Sequence, residues 1–146
     1  MPRYGYNLDD WFEKLKFKIC KNTILDIGIR LSYFLQNIHE AGYVYNDLKL
    51  DNIMIGYGKK PIKSNEGKSL LEGFSLHLVD FGFATKYISK GVHIECSDVP
   101  TFRGNMMFSS LNQLNFKTPS RRDDMIALCY LLSFLLNEGV IKGIQD

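Results

Sequence analysis

The sequence has no long apolar run. Its longest candidate, Met125–Leu136, covers twelve residues and is interrupted by Cys129, Tyr130 and Ser133. A membrane-spanning helix needs roughly 18 or more. Cysteine is scarce: Cys20, Cys96 and Cys129 are widely spaced, which excludes a zinc pattern and an even disulfide set and fits a reducing compartment. Charge excess is small, since 18 Lys+Arg face 16 Asp+Glu for a net +2. Surfaces that track nucleic-acid phosphates usually carry clustered Lys/Arg, so neither nucleic acid nor a membrane is an expected partner. Met1–Asp10 is polar and aromatic rather than a leader pattern, and the expected setting is cytoplasmic or nuclear. What is present is ordinary: 45% apolar and 23% charged residues over 146 positions. That composition excludes a disordered acidic chain and suits one domain or part of a larger one.

Local patterns predict a mainly α chain with short β hairpins. Asn7 followed by Leu8-Asp9-Asp10 is a helix start, and a helix over about 8–20 would bury Trp11, Leu15 and Ile19. Thr23 with Asp26 resembles a capping box. Ile24, Ile27, Leu31, Leu35 and Ile38 then recur at helical spacing to Gly42, a natural left-handed stop. Tyr43–Tyr45, Ile53–Ile55 and Ser75–Val79 read as short strands, and Gly56–Gly73 as an exposed loop. Residues 83–119 lack a steady period, so they are expected to be functional or mobile. Ser120 caps a last helix over about 121–137, apolar around nearly its whole circumference and therefore expected at the centre of the fold.

The segment Y-N-D-L-K-L-D-N, Tyr45–Asn52, places a carboxylate (Asp47), an ammonium (Lys49) and an amide (Asn52) close together. Phosphoryl transfer needs this combination, because its transition state spreads negative charge over oxygens and catalysis is mainly positioning and neutralisation. Asp47 can orient or accept a hydroxyl proton, Lys49 can meet phosphate charge, and Asn52 can offer a neutral oxygen to Mg²⁺. Asp80-Phe81-Gly82 follows an apolar strand. Its carboxylate can bridge metal and phosphates, with Gly82 permitting the tight turn behind it. The alternative for Asp80 is a plain turn closed by an Asx hydrogen bond.

In this order, the two segments resemble the C-terminal lobe of a eukaryotic protein kinase, and specifically the casein kinase I family of Ser/Thr kinases. Leu8-Asp9-Asp10-Trp11-Phe12 is similar to the family's segment after the hinge. F-R-G-N-M-M-F-S-S (Phe102–Ser110) stands where most kinases carry A-P-E and resembles the family's G-T-A-R-Y-A-S. S-R-R-D-D (Ser120–Asp124) opens the central helix as it does in that family. The resemblance covers about residues 5–140, with 56–73 as a loop insertion and 83–119 as the activation segment. It implies a partial kinase domain (1–146) with the N-terminal lobe missing, ATP and Mg²⁺ as cofactors, and protein substrates. It also implies roles: Asp47 and Lys49 catalytic, Asn52 and Asp80 as ligands of metal and nucleotide, Asp124 and Gly82 as structural support. Asp124 would brace the catalytic loop, or else be an ordinary first-turn acid. Arg121 and Arg122 would be partners of the activation segment, or else exposed helix-end residues.

Several positions depart from the pattern. The family's H-R-D reads Tyr45-Asn46-Asp47. Tyrosine fills the histidine's space without copying both its contacts, and Asn46 cannot form the arginine's bidentate phosphate pair. Met107 stands where the family has arginine, weakening a preference for acidic substrates. Cys129 takes a usual glycine position and is expected as a buried small thiol. Lys59, Lys60, Lys63 and Lys68 of the inserted loop read as solvated surface or as a site for an acidic partner. The Gly-rich loop, strand lysine and helix glutamate of a kinase are absent, and the resemblance fades over Gly139–Asp146. The central helix would then lack cover on one side. That implies marginal stability, aggregation, or a protein partner on the exposed face. The reading that follows is a casein kinase I-like phosphotransferase present as an incomplete domain. The alternative is a non-catalytic, pseudokinase-like interaction module or a truncated gene fragment.

Overall fold

The computed structural model describes residues 4–56 and 68–140. Most of the expected 56–73 insertion, with Lys59, Lys60 and Lys63, lies outside them. The elements in chain order are α1 (Leu8–Lys14), α2 (Lys21–Glu40), β1 (Tyr43–Val44), a 3-10 turn (Leu50–Asn52), β2 (Ile53–Ile55), β3 (Leu76–Leu78), β4 (Thr85–Lys86), β5 (Ile88–Ser89), β6 (Val92–His93), α3 (Leu111–Leu114) and α4 (Arg121–Leu136). The chain is thus mainly helical with short antiparallel strand pairs, as its patterns predict. No helix among the described residues is long and apolar enough to cross a membrane. The contacts fall into two compact units, one of residues 4–30, 50–56, 68–79 and 132–140, the other of 31–49 and 80–131.

In the first unit, Asn7 caps α1 as expected, its Oδ1 accepting the Asp10 N–H at 2.7 Å. The helix, however, ends at Lys14, well short of residue 20. Lys16 and Phe17 take left-handed φ values of 51° and 56°, and the Phe17 ring meets Phe134 edge-on at 6.2 Å. Docking of that ring replaces another helical turn. The buried face is accordingly Leu8 and Phe12, not Trp11, Leu15 and Ile19. Helix α1 packs on the 3-10 turn and β2. β2 pairs antiparallel with β3, Ile53 opposite Leu78 and Ile55 opposite Leu76.

Helix α2 begins at Lys21, so Thr23 is not its cap. Its buried hydroxyl instead accepts the Leu70 N–H at 2.9 Å. Asp26 likewise serves tertiary structure: it takes Arg30 Nε at 2.7 Å and the Ser69 hydroxyl at 2.7 Å. Ile24, Ile27, Leu31 and Leu35 are buried as their spacing predicts, and Gly42 closes the helix at φ 87°.

In the second unit β1 pairs with β4 (Val44 opposite Thr85) and β5 with β6. The expected irregular stretch 83–119 therefore contains three short strands and the one-turn helix α3. A full capping box between Ser110 and Gln113 starts α3. At the start of α4 the Ser120 N–H donates to Asp123 Oδ2 at 2.7 Å.

The expectation that α4 is buried all round fails. Ala127, Leu128, Leu131, Phe134 and Leu135 are buried, whereas Met125, Tyr130 and Leu136 are exposed. Cys129 lies on the open side too, as an exposed free thiol rather than a buried one. Periodicity cannot distinguish a core helix from one whose apolar far side has no covering element among the described residues.

Burial, rather than side-chain type, sets the cost of truncation. Phe12→Ala is expected to lose about 3–5 kcal/mol. Leu25→Ala, on the exposed side of α2, should stay within about 0.5 kcal/mol of the parent. Urea melts of the two variants check this, and equal losses would contradict the burial pattern.

Candidate active site

The chain leaves α2 through Gly42 and enters β1, and every residue from Val44 to Leu48 is buried. β1 is only two residues long, so the N–H groups just beyond it need other acceptors. Asp124, in the first turn of α4, supplies them. Its Oδ2 accepts the Tyr45 N–H and its Oδ1 the Asn46 N–H, both at 2.8 Å. His39, in the last turn of α2, places Nε2 2.8 Å from the same Oδ2. Asn46 holds a left-handed φ of 70°, and a Cβ on Gly104 would overlap the Asn46 carbonyl oxygen. Only glycine lets residue 104 sit there.

Asp47 follows directly on this pinned backbone. Its carboxylate is buried, and Lys49 Nζ stands 3.0 Å from Oδ2. On the other side Asn105 Nδ2 lies 3.4 Å from Oδ1 and donates to the Leu48 carbonyl at 3.0 Å. Asn105 Oδ1 in turn accepts the Phe108 N–H at 2.9 Å. The arrangement holds a carboxylate and an ammonium side by side on a rigid loop, while Met106 and Met107 next to Asn105 remain exposed.

Asp80 takes the left-handed conformation itself, at φ 58°, so the tight turn expected of Gly82 falls two residues earlier. Gly82 has a different part. Its N–H donates to Asp80 Oδ1 at 3.1 Å, and a Cβ on it would stand 3.1 Å from that oxygen. The Asx hydrogen bond is therefore present, and Asp80 remains exposed. Phe81 packs edge-on against the buried Tyr45 ring at 5.4 Å. Asn46 Nδ2 donates to the Phe83 carbonyl at 2.8 Å and to Thr85 Oγ1 at 2.9 Å.

Asp47, Lys49, Asp80, Gly82 and Asp124 thus belong to one compact unit. Asn52 belongs to the other, buried in the 3-10 turn, where its carbonyl accepts the N–H of Val79, the residue before Asp80. Of the two arginines, Arg121 lies 4.9 Å over the Tyr87 ring of the 83–119 segment. Arg122, half-exposed, stands 3.6 Å from Asp123. Lys68 pairs with Glu72 at 3.6 Å on the surface.

Sequence reasoning missed three residues that organise this unit: His39, Asn105 and Asp123. Asp123 is fully buried and accepts the Ser110 hydroxyl at 2.6 Å. The only local signals were an unexplained histidine in a last helical turn, a polar residue between Gly104 and two methionines, and a doubled acid.

No protein-family model matches the chain. Curated proteins do. Casein kinase I homolog 1 of Saccharomyces cerevisiae is 28% identical over 134 residues, covering 90% of this chain and 23% of that protein. Casein kinase 1-like protein HD16 of Oryza sativa subsp. japonica is 29% identical over 139 residues, covering 93% and 18%. Casein kinase I homolog RAG8 of Kluyveromyces lactis is 27% identical over 134 residues, covering 90% and 23%. The chain spans about one fifth of the length of these relatives. Nine-tenths of it aligns with several such proteins, and the chain is accordingly similar to proteins of the casein kinase I family.

Proposed function

We propose that this chain corresponds to the C-terminal lobe of a casein kinase I-like Ser/Thr protein kinase and takes part in moving the ATP γ-phosphoryl group to protein hydroxyls. The observation that carries the reading is the buried Asp47, 3.0 Å from Lys49, on a backbone anchored at the two preceding residues by Asp124. A fixed carboxylate at such a point can orient a substrate hydroxyl and take its proton. Lys49 would move from its partner carboxylate toward phosphate oxygens, and Asp124 would keep the loop in register.

By the family pattern Asp80 and Asn52 would each be an oxygen donor to Mg²⁺, and each donor type fits. Magnesium takes hard oxygen ligands, needs few from protein and keeps several waters. Among the described residues no cluster of three His, Cys, Asp or Glu forms a separate cage. When bound, Mg-ATP brings the transferable phosphoryl group and neutralises its charge. Protein substrates are part of the same proposal, because they belong to the longer relatives as whole enzymes.

Transfer of label from ATP to casein by the full chain tests this. Asp47→Asn should lower the rate by about 10²–10⁴-fold with little change in stability. Equal labelling by parent and variant would exclude Asp47 from the chemistry.

The bracing role has its own readout. Asp124→Asn offers one acceptor where two N–H groups converge, so it should cost about 1–3 kcal/mol and speed amide exchange at Tyr45 or Asn46. Unchanged protection at both amides would remove the brace.

A further inference from the structure

The 105–110 segment is pinned at both ends and bare in the middle. Asn105 Nδ2 donates to the Leu48 carbonyl at 3.0 Å and stands 3.4 Å from Asp47 Oδ1. Asn105 Oδ1 accepts the Phe108 N–H at 2.9 Å, and the Asn105 carbonyl accepts the Ser109 hydroxyl. Phe108, Ser109 and Ser110 are buried, and the Ser110 hydroxyl donates to Asp123. These contacts close a tight turn whose two remaining residues stay outside. Met106 is 76% exposed and Met107 49%. All of these residues lie in the unit that holds Asp47.

Large apolar side chains kept in water beside a reactive group mark a contact surface, and the unbranched thioether of methionine adapts to partners of varied shape. The tip carries no charge of its own. From Phe102 to Leu111 the only ionisable residue is Arg103, which precedes the pinned Asn105. Consecutive Cα atoms are about 3.8 Å apart, and an extended chain advances about 3.3–3.6 Å per residue. Met106 and Met107 therefore start one and two steps from the residue that touches Asp47. A polypeptide whose hydroxyl sits at Asp47 brings its neighbouring side chains over comparable lengths. An aliphatic side chain placed there gains by leaving water against the methionines. A carboxylate or phosphate placed there loses hydration, with no cation on the tip to offset the loss.

We propose that Met106 and Met107 form the specificity surface of the Asp47 site and select protein substrates with aliphatic or aromatic side chains next to the phosphoacceptor hydroxyl, rather than acidic or phosphorylated ones. The proposal rests on the function proposed above for Asp47 and adds the class of substrate. Met107, at the position where the casein kinase I pattern carries arginine, makes the surface apolar rather than cationic.

The full chain, labelled with ¹³C at the methionine methyl groups, is titrated without nucleotide with two serine peptides. One has leucines on both sides of the serine, and the other has glutamates there. The expected result is a saturable shift of the Met106 and Met107 signals, with the leucine peptide binding about tenfold more tightly than the glutamate peptide. The signal of Met125, an exposed methionine on α4, should stay in place. Met107→Lys should weaken the leucine peptide by about tenfold and bring the glutamate peptide level with it or above it. Met107 is half-exposed, so the substitution leaves the fold intact, and Met106→Ser at the more open position should weaken the leucine peptide as well. Equal binding of the two peptides, a Met125 shift as large as those of the pair, or an unchanged preference in Met107→Lys overturns the proposal. Leucine preference without transfer of label from ATP keeps the surface and removes the chemistry. Transfer of label to both peptides at equal rates keeps the chemistry and removes the surface.

Discussion

The arrangement around Asp47 depends on one buried carboxylate. Asp124 is almost completely inaccessible, and isolating a charge from water is prohibitive without compensation. Compensation comes from two backbone N–H groups and the His39 ring, all at 2.8 Å. The exchange is mutual. Tyr45 and Asn46 lie just past the end of a two-residue strand, where their N–H groups have no ladder to join. Hydrogen bonds to a charged acceptor contribute about 1.5–3 kcal/mol each. That is enough to hold Asn46 in a left-handed conformation that costs roughly 1–3 kcal/mol elsewhere. Because residues 45 and 46 are both fixed, the direction in which the chain delivers Asp47 is fixed as well.

The departures at 45 and 46 make sense within this frame. Tyr45 packs its ring edge-on against Phe81 and so joins the 45–48 segment to the Asp80 turn. Asn46 carries a short amide whose nitrogen donates to Phe83 and Thr85. These neutral hydrogen bonds tie the start of the 83–119 segment to the 45–48 segment. Asn46 Oδ1 stays buried and unpaired among the described residues, a cost the other contacts of this residue offset.

Helix α2 was legible from its apolar spacing, Gly42 from its place after the helix, and the Asn7 cap from one side chain, because each rests on neighbours within a turn. The β2–β3 pair was legible as two short apolar runs. What escaped was set by distant partners. Helix α1 stops because Phe17 packs on Phe134, and Thr23 turns inward because Leu70 offers an N–H. Asn46 and Asp124 are 78 positions apart, so no window of sequence contains both. In the candidate site, Asp47, Lys49 and Asp80 stood out because their spacing is itself the signal. Asn105 and His39 did not, since one amide or one imidazole carries no pattern until the fold brings it to a carboxylate. Cys129 was misjudged because packing on the far side of α4 cannot be inferred from α4 itself.

The doubled acid of S-R-R-D-D has a geometric explanation. Consecutive helix positions point about 100° apart, so Asp123 and Asp124 serve different neighbours from one helical turn. Asp124 faces the backbone of residues 45 and 46, while Asp123 takes the hydroxyl of Ser110 and the N–H of Ser120. Asn105 then connects the 105–110 segment to Asp47 and Leu48, so the contacts form a closed circuit from α4 through the 45–48 segment to Asn105 and Ser110, and back to α4. Either acid alone would leave the circuit open. With Asp123 gone, the segment bearing Met106 and Met107 could drift relative to Asp47. With Asp124 gone, Asp47 could drift relative to that segment. The two buried acids side by side thus keep the 105–110 segment and the backbone before Asp47 in one register.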